Sequence, residues 1–139
     1  GKYIIPSRVY LSCTRSSTYA RKGTLPSFVL GNEPQKYVIV YPFTKTREWY
    51  LLPQEQRQEM MDQHINVSEK YPQVTLNTTY SFGIGDQDFM LAFECDNLRD
   101  FQNLIMDLRQ TPVSAYVAVD TLMITCVKKD IVPIITSLG

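Results

Sequence analysis

Apolar and polar positions follow two periods along this chain, and the change of period marks out its elements. Over residues 53–70, Met60, His64, Val67 and Tyr71 recur at helical spacing, while Arg57, Glu59, Asp62 and Glu69 fall elsewhere. The pattern predicts a helix with one buried stripe. Pro53 suits a first helical position, Glu55 places negative charge in the first turn, and Pro72 closes the segment. A second helix is predicted over 98–109, with Asn97 as its N-cap and Leu98, Phe101, Ile105 and Leu108 as its buried stripe. Pro112 stops it.

Four segments read as strands. Residues 37–41 form a short apolar run suited to a central strand covered on both faces, which Pro42 is expected to end. Residues 74–82 alternate: Val74, Leu76, Tyr80 and Phe82 face one way, and Thr75, Asn77, Thr79 and Ser81 the other. Gly83 to Gly85 make a turn into 88–94, where Phe89, Leu91 and Phe93 share a face, and 122–127 is the last strand. The order β-α-β-β-α-β defines an α+β, ferredoxin-like repeat. An extra N-terminal strand is expected over 8–13, followed by a loop over 14–34 that is punctuated by Ser, Gly and Pro and suits a flap over a pocket. The chain therefore divides into an N-terminal strand and connection (1–36), the ferredoxin-like domain (37–130) and an apolar tail (131–139).

Composition narrows the partners. The 139 residues carry 14 Lys and Arg against 14 Asp and Glu, which argues against a strong electrostatic partner, and neither the basic excess nor the clustered basic face of a nucleic-acid binder is seen. No apolar run approaches the ~20 residues that span a bilayer. Cys13, Cys95 and Cys126 lack CxxC spacing and read as buried free thiols of a reducing compartment. The absence of a starting methionine fits a processed, engineered or incomplete chain.

Few residues stand out for chemistry. His64 is the only histidine, and with no cluster of ligand residues at metal spacing a zinc site is disfavoured. Haem needs only one protein ligand in an apolar pocket, and Met60, Met61 and Val67 would wall it. A buried core histidine fits the same pattern. Tyr41 and Lys45 stand at the exit of the central strand, where a redox or hydrogen-bonding tyrosine and a carboxylate-holding lysine are possible beside a core tyrosine and a solvated lysine. Asn77 lies in a polar row that offers neutral donors if that face lines a cavity.

The segments Tyr41-Pro42-Phe43-Thr44-Lys45, Trp49-Tyr50-Leu51-Leu52-Pro53, Met60-Met61-Asp62-Gln63-His64 and Asp86-Gln87-Asp88-Phe89 together resemble the chlorite dismutase-like superfamily, which includes the coproheme decarboxylases. The resemblance covers about residues 37–128. The run Asn77 to Gly83 looks most like cyanobacterial and plastid members. The resemblance implies a ferredoxin-like repeat forming the second half of a dimeric α+β barrel, and haem b or coproheme held through its iron by His64. It implies catalytic roles for Tyr41 and Lys45 at the propionates, with Met60 and Asn77 as further cofactor contacts. Asn77 falls, by an ungapped count of thirteen from His64, where chlorite dismutases carry arginine and many decarboxylases glutamine. A neutral, shorter side chain there disfavours chlorite dismutation. Pro112-Val113 stand where many relatives carry a glutamate behind the proximal imidazole.

Two functions follow as expectations. One is a haem- or coproheme-binding protein resembling coproheme decarboxylase, with peroxide-dependent chemistry. The other is a non-catalytic descendant, a tetrapyrrole-binding or structural subunit of a larger assembly, photosynthetic if the plastid likeness holds. A ferredoxin-like sensor without haem ranks below both. The resemblance further implies a homo-oligomer or a subunit of a larger complex, in the cytoplasm or the plastid stroma. Relatives place another ferredoxin-like repeat ahead of this one, where here only one strand and a loop are expected.

Overall fold

The computed structural model describes residues 7–17, 19 and 25–137. The predicted loop at 18 and 20–24 and the end of the tail lie outside the described residues. Five antiparallel strands form one sheet: β1 (Tyr37–Lys45), β2 (Thr75–Tyr80), β3 (Phe89–Cys95), β4 (Val117–Val119) and β5 (Ile124–Val127). Their order is β2-β3-β1, with β5 and then β4 along the far side of β1. Helices α2 (Gln54–Ser68) and α3 (Leu98–Leu108) supply the two crossovers of the ferredoxin-like arrangement, and α1 (Arg47–Leu51) and α4 (Ile131–Ser137) are additions to it.

The central strand runs past Pro42 rather than ending there. Proline removes a backbone donor. On the far side of β1, however, β5 pairs only as far as Val40 and β4 begins at Thr44, so Pro42 falls in the gap between them. On the other side Pro42 still sits opposite Met90.

The helix α1 went unpredicted. The Thr46 side chain caps it by accepting from the Trp49 N–H at 3.4 Å. Trp49, only 2% exposed, then packs against Tyr116 with ring centroids 5.6 Å apart. Residues 8–13 make no strand. Their backbone pairs with the sheet at one bridge, in which Cys13 and Tyr80 exchange both backbone hydrogen bonds at 2.8 Å, and the Thr79 hydroxyl donates to that of Ser12 at 2.7 Å. The Cys13 and Cys126 thiols are exposed, contrary to expectation, and Cys95 alone is buried.

One face of the sheet carries Ile39, Tyr41, Leu91, Phe93 and Cys95, which with Phe101, Leu104 and Leu108 of α3 form the core. Asn97 caps α3 as expected, its side chain accepting from the Arg99 N–H at 3.0 Å. Val67 near the C-terminal end of α2 and Tyr71 just beyond it pack against this core. The tail forms α4, which leaves Ile131, Val132 and Ile135 exposed. Among the described residues no helix is long and apolar enough to cross a membrane.

Candidate functional site

Between the helix-bearing face of the sheet and α2 lies a cavity of about 730 Å³, within the 300–1,000 Å³ or so typical of small-molecule sites. Its wall is mostly apolar and aromatic, with Phe89, Leu91 and Phe93 from β3 and Leu104 and Leu108 from α3. Leu25 and Pro26 of the N-terminal segment close one side. Tyr41, Lys45 and His64 all line this one space, although β1 and α2 supply them from separate parts of the chain.

His64 sits in the middle of α2. Burial, and then the nearby charge of Lys45, lowers its pKa to about 4, so the imidazole is neutral at ordinary pH. That is the form able to ligate a metal. Its Nδ1 is buried and lacks a hydrogen-bond partner, although buried polar atoms are normally paired. Pro112 and Val113, at the position where relatives place a glutamate, form a 3-10 turn, and Val113 is buried against the cavity. The Val113 carbonyl accepts from Lys45 Nζ at 3.3 Å. An ammonium group therefore sits near the imidazole, and no carboxylate supports Nδ1 among the described residues.

Lys45 holds its ammonium 4.8 Å from the Trp49 ring centroid and 5.2 Å from that of Phe43. Burial lowers its pKa to about 8. Tyr41 is 4% exposed and stacks on Phe93 at 6.0 Å with nearly parallel rings. Burial first, and then the negative charge of Asp120, pushes its phenol well above the ordinary tyrosine range.

Two of the expected site residues lie elsewhere. Asn77 is 2% exposed and belongs to the reverse face of the sheet. Its Nδ2 donates to Glu94 Oε1 at 2.6 Å, and its Oδ1 accepts from the Ser27 N–H at 2.6 Å. Along β2 the residues facing the cavity are Leu76, Thr78 and Tyr80. Since side chains alternate along a strand, an offset of one residue moves a side chain to the opposite face. Met60 is likewise off the cavity wall. The face of α2 on the cavity is Arg57, Met61, His64, Ile65 and Ser68, the spacing of one helical side. Steps of three and of seven back from His64 lead to Met61 and Arg57, whereas the step of four leads to Met60, which is off the wall. Trp49 and Tyr19, also in the wall, carry no such signal.

Among the described residues no three His, Cys, Asp or Glu side chains gather to hold a metal. A metal at this cavity would rest on His64 alone, as iron within a haem macrocycle does. The neutral, partly buried imidazole, the partnerless Nδ1 and the apolar walls fit that group. The comparisons with known proteins point the same way. A sequence model of the chlorite dismutase family matches residues 1–129. The chain is 39% identical over 100 residues to a coproheme decarboxylase of Mycolicibacterium smegmatis, a match covering 72% of this chain and 43% of that protein. It is 34% identical over 84 residues to a Halobacterium salinarum protein named for heme binding, covering 57% of this chain and 17% of that one. Its fold superposes on chlorite dismutase from Candidatus Nitrospira defluvii, solved with imidazole, with a TM-score of 0.71 at 28% identity over 76% of this chain and 45% of the other. The chain belongs to the chlorite dismutase family, and it spans less than half the length of these relatives.

Proposed function

We propose that this chain binds an iron tetrapyrrole, haem b or coproheme, with His64 as the iron ligand. Its peroxide-dependent chemistry would resemble that of coproheme decarboxylase. The observation that carries this reading is the meeting of His64, Tyr41 and Lys45 at one apolar cavity. The likeness to the Mycolicibacterium enzyme supports it. The bound tetrapyrrole would supply the redox chemistry that protein side chains lack.

The chain's own residues have separable tasks. His64, kept neutral by burial, offers a nitrogen lone pair. Tyr41 keeps its proton across the whole ordinary pH range, so it serves as a donor of a hydrogen bond or hydrogen atom rather than as an anion. Lys45, with a pKa of about 8, is mostly charged at neutral pH and still close enough to give up a proton. It would hold a ligand carboxylate or return a proton to it. Once a ligand fills the cavity, its largely apolar walls would keep water from these groups.

A second reading is a tetrapyrrole-binding or structural subunit without catalysis. The partnerless Nδ1 favours it, together with the ammonium of Lys45 near the ring. A ligand imidazole hydrogen-bonded to a carboxylate is a stronger donor to iron. Asn77, turned away from the cavity, adds no distal polar group. Assembly into an oligomer belongs to either reading, and the exposed apolar residues of α4 support it.

The test is to mix the chain with haem or with iron coproporphyrin and record the Soret band for wild type and His64→Ala. A band that depends on His64 is expected, and no band shift in wild type overturns the proposal. Adding peroxide then separates the two readings. Decarboxylation seen by mass spectrometry supports the enzyme, and an unchanged tetrapyrrole supports the subunit. Decarboxylation that survives Tyr41→Phe would remove Tyr41 from the mechanism.

A further inference from the structure

The cavity is charged in a way that the chain as a whole is not. Lys and Arg balance Asp and Glu at 14 each over the sequence. The described residues of the wall nevertheless include Arg15, Lys45, Arg57 and Arg109 against Asp120 alone. Asp120 is taken by Arg109 at 3.4 Å. Arg15 lies over the Tyr80 ring at 5.4 Å, and Lys45 is bonded to the Val113 carbonyl. Among these cations Arg57 is the one that leaves a buried donor unpaired.

Its Nη1 donates to the Tyr19 hydroxyl at 3.1 Å, while its Nε is buried and has no partner. A buried guanidinium N–H left unpaired is costly, and it goes unpaired here beside a cavity. The Tyr19 ring, in turn, packs on Trp49 with centroids 6.3 Å apart, which fixes the hydroxyl that holds Nη1. With Nη1 occupied, the free edge of the guanidinium is the pair formed by Nε–H and Nη2–H. Two parallel donors on one edge match the two oxygens of a carboxylate. Arg57 also stands seven residues before His64 on α2, about 10.5 Å along the helix axis at 1.5 Å per residue. A ligand that reaches both must have an apolar body of that span with an acid group at its edge.

We propose that Arg57, oriented by Tyr19, is a second carboxylate-recognising residue of this cavity beside Lys45 and favours ligands that carry a free acid at their periphery. The inference rests on the tetrapyrrole reading above for the identity of the body, and on Arg57 and Tyr19 for the acid. It places acid recognition on α2, apart from Lys45 on β1.

The test uses the full chain and two metal-free probes, coproporphyrin as the free acid and its methyl ester, titrated by fluorescence. Wild type binds the acid in preference to the ester. Arg57→Gln weakens binding of the acid by about tenfold or more, the loss expected for a charge-assisted pair, and leaves the ester unchanged. Arg57→Lys recovers only part of the preference, because one ammonium cannot present the two-donor edge. Tyr19→Phe falls between wild type and Arg57→Gln. Equal binding of acid and ester by wild type overturns the proposal, as does binding of neither. So does an equal loss of both ligands in Arg57→Gln, which would mark a structural role. Because the probes hold no iron, an Arg57-dependent preference can persist where the His64-dependent Soret band fails, so the two readings fail separately.

Discussion

The ammonium of Lys45 stands close enough to His64 for its charge to lower the basicity of the imidazole, and the Val113 carbonyl at 3.3 Å holds it there. Burial is the larger cause and Lys45 the second. Replacing Lys45 by Met should therefore raise the His64 pKa from about 4 without restoring it to the value of a free histidine. Imidazole proton shifts in an NMR titration read this directly. An unmoved pKa would separate the two residues.

The same shift has a consequence for stability. An imidazole with a pKa of 6.5 in the unfolded chain and about 4 in the folded one binds more protons when unfolded over that window. Stability therefore rises with pH from about 4 to 6.5, by an amount on the order of 3 kcal/mol. In His64→Leu this part of the pH dependence should vanish. Urea unfolding of the ligand-free chain at several pH values between these limits checks it.

Lys45 titrates at the other end of the range. Its pKa of about 8 means that its charge is present at neutral pH and lost just above. Affinity for an acidic ligand should fall as pH rises through about 8, and the fall should be absent in Lys45→Met. A pH series of fluorescence titrations measures both.

The register of β2 predicts opposite outcomes at adjacent positions. Thr78 faces the cavity, so Thr78→Arg should fold and add a cation to the site. Asn77 is buried between Ser27 and Glu94, so Asn77→Arg must force a longer charged side chain into a filled space. Asn77→Ala should itself cost about 1–3 kcal/mol, the penalty for leaving buried partners unsatisfied. Circular dichroism and denaturant midpoints distinguish these variants, and similar behaviour of the two arginine variants would refute the register.

The elements legible in the sequence were those whose own pattern suffices. Strict alternation in the β2–β3 hairpin and the Asn97 cap with the stripe Phe101, Leu108 gave these elements to within a residue or two. The short helix α1 depends on Trp49 packing against Tyr116 across the fold, which no local signal records. On α2 the apolar stripe misled about phase. The inner side of that helix carries Arg57, His64 and Ser68 because it meets a cavity rather than a core, and a search for apolar spacing settles on Met60 instead. Asn77 was displaced for a related reason: a count carried through the turn after α2 does not record which face each residue of β2 takes. Tyr41, Lys45 and His64 were singled out as candidates and matched by the family motif, and all three line the one cavity.

The Glu94–Asn77–Ser27 bonds have a further effect on how the sheet meets other chains. Glu94 Oε1 also accepts from the Ser27 hydroxyl at 2.6 Å, and the Cys13 bridge occupies the margin of β2 at Tyr80. At the opposite margin β5, among the described residues, pairs only with β1 and leaves all four of its residues exposed. An open strand margin is a template for further pairing. Growth of this sheet is thus polar: the β2 side is fastened by its own N-terminal segment, and a strand added from outside would join alongside Ile124 to Val127.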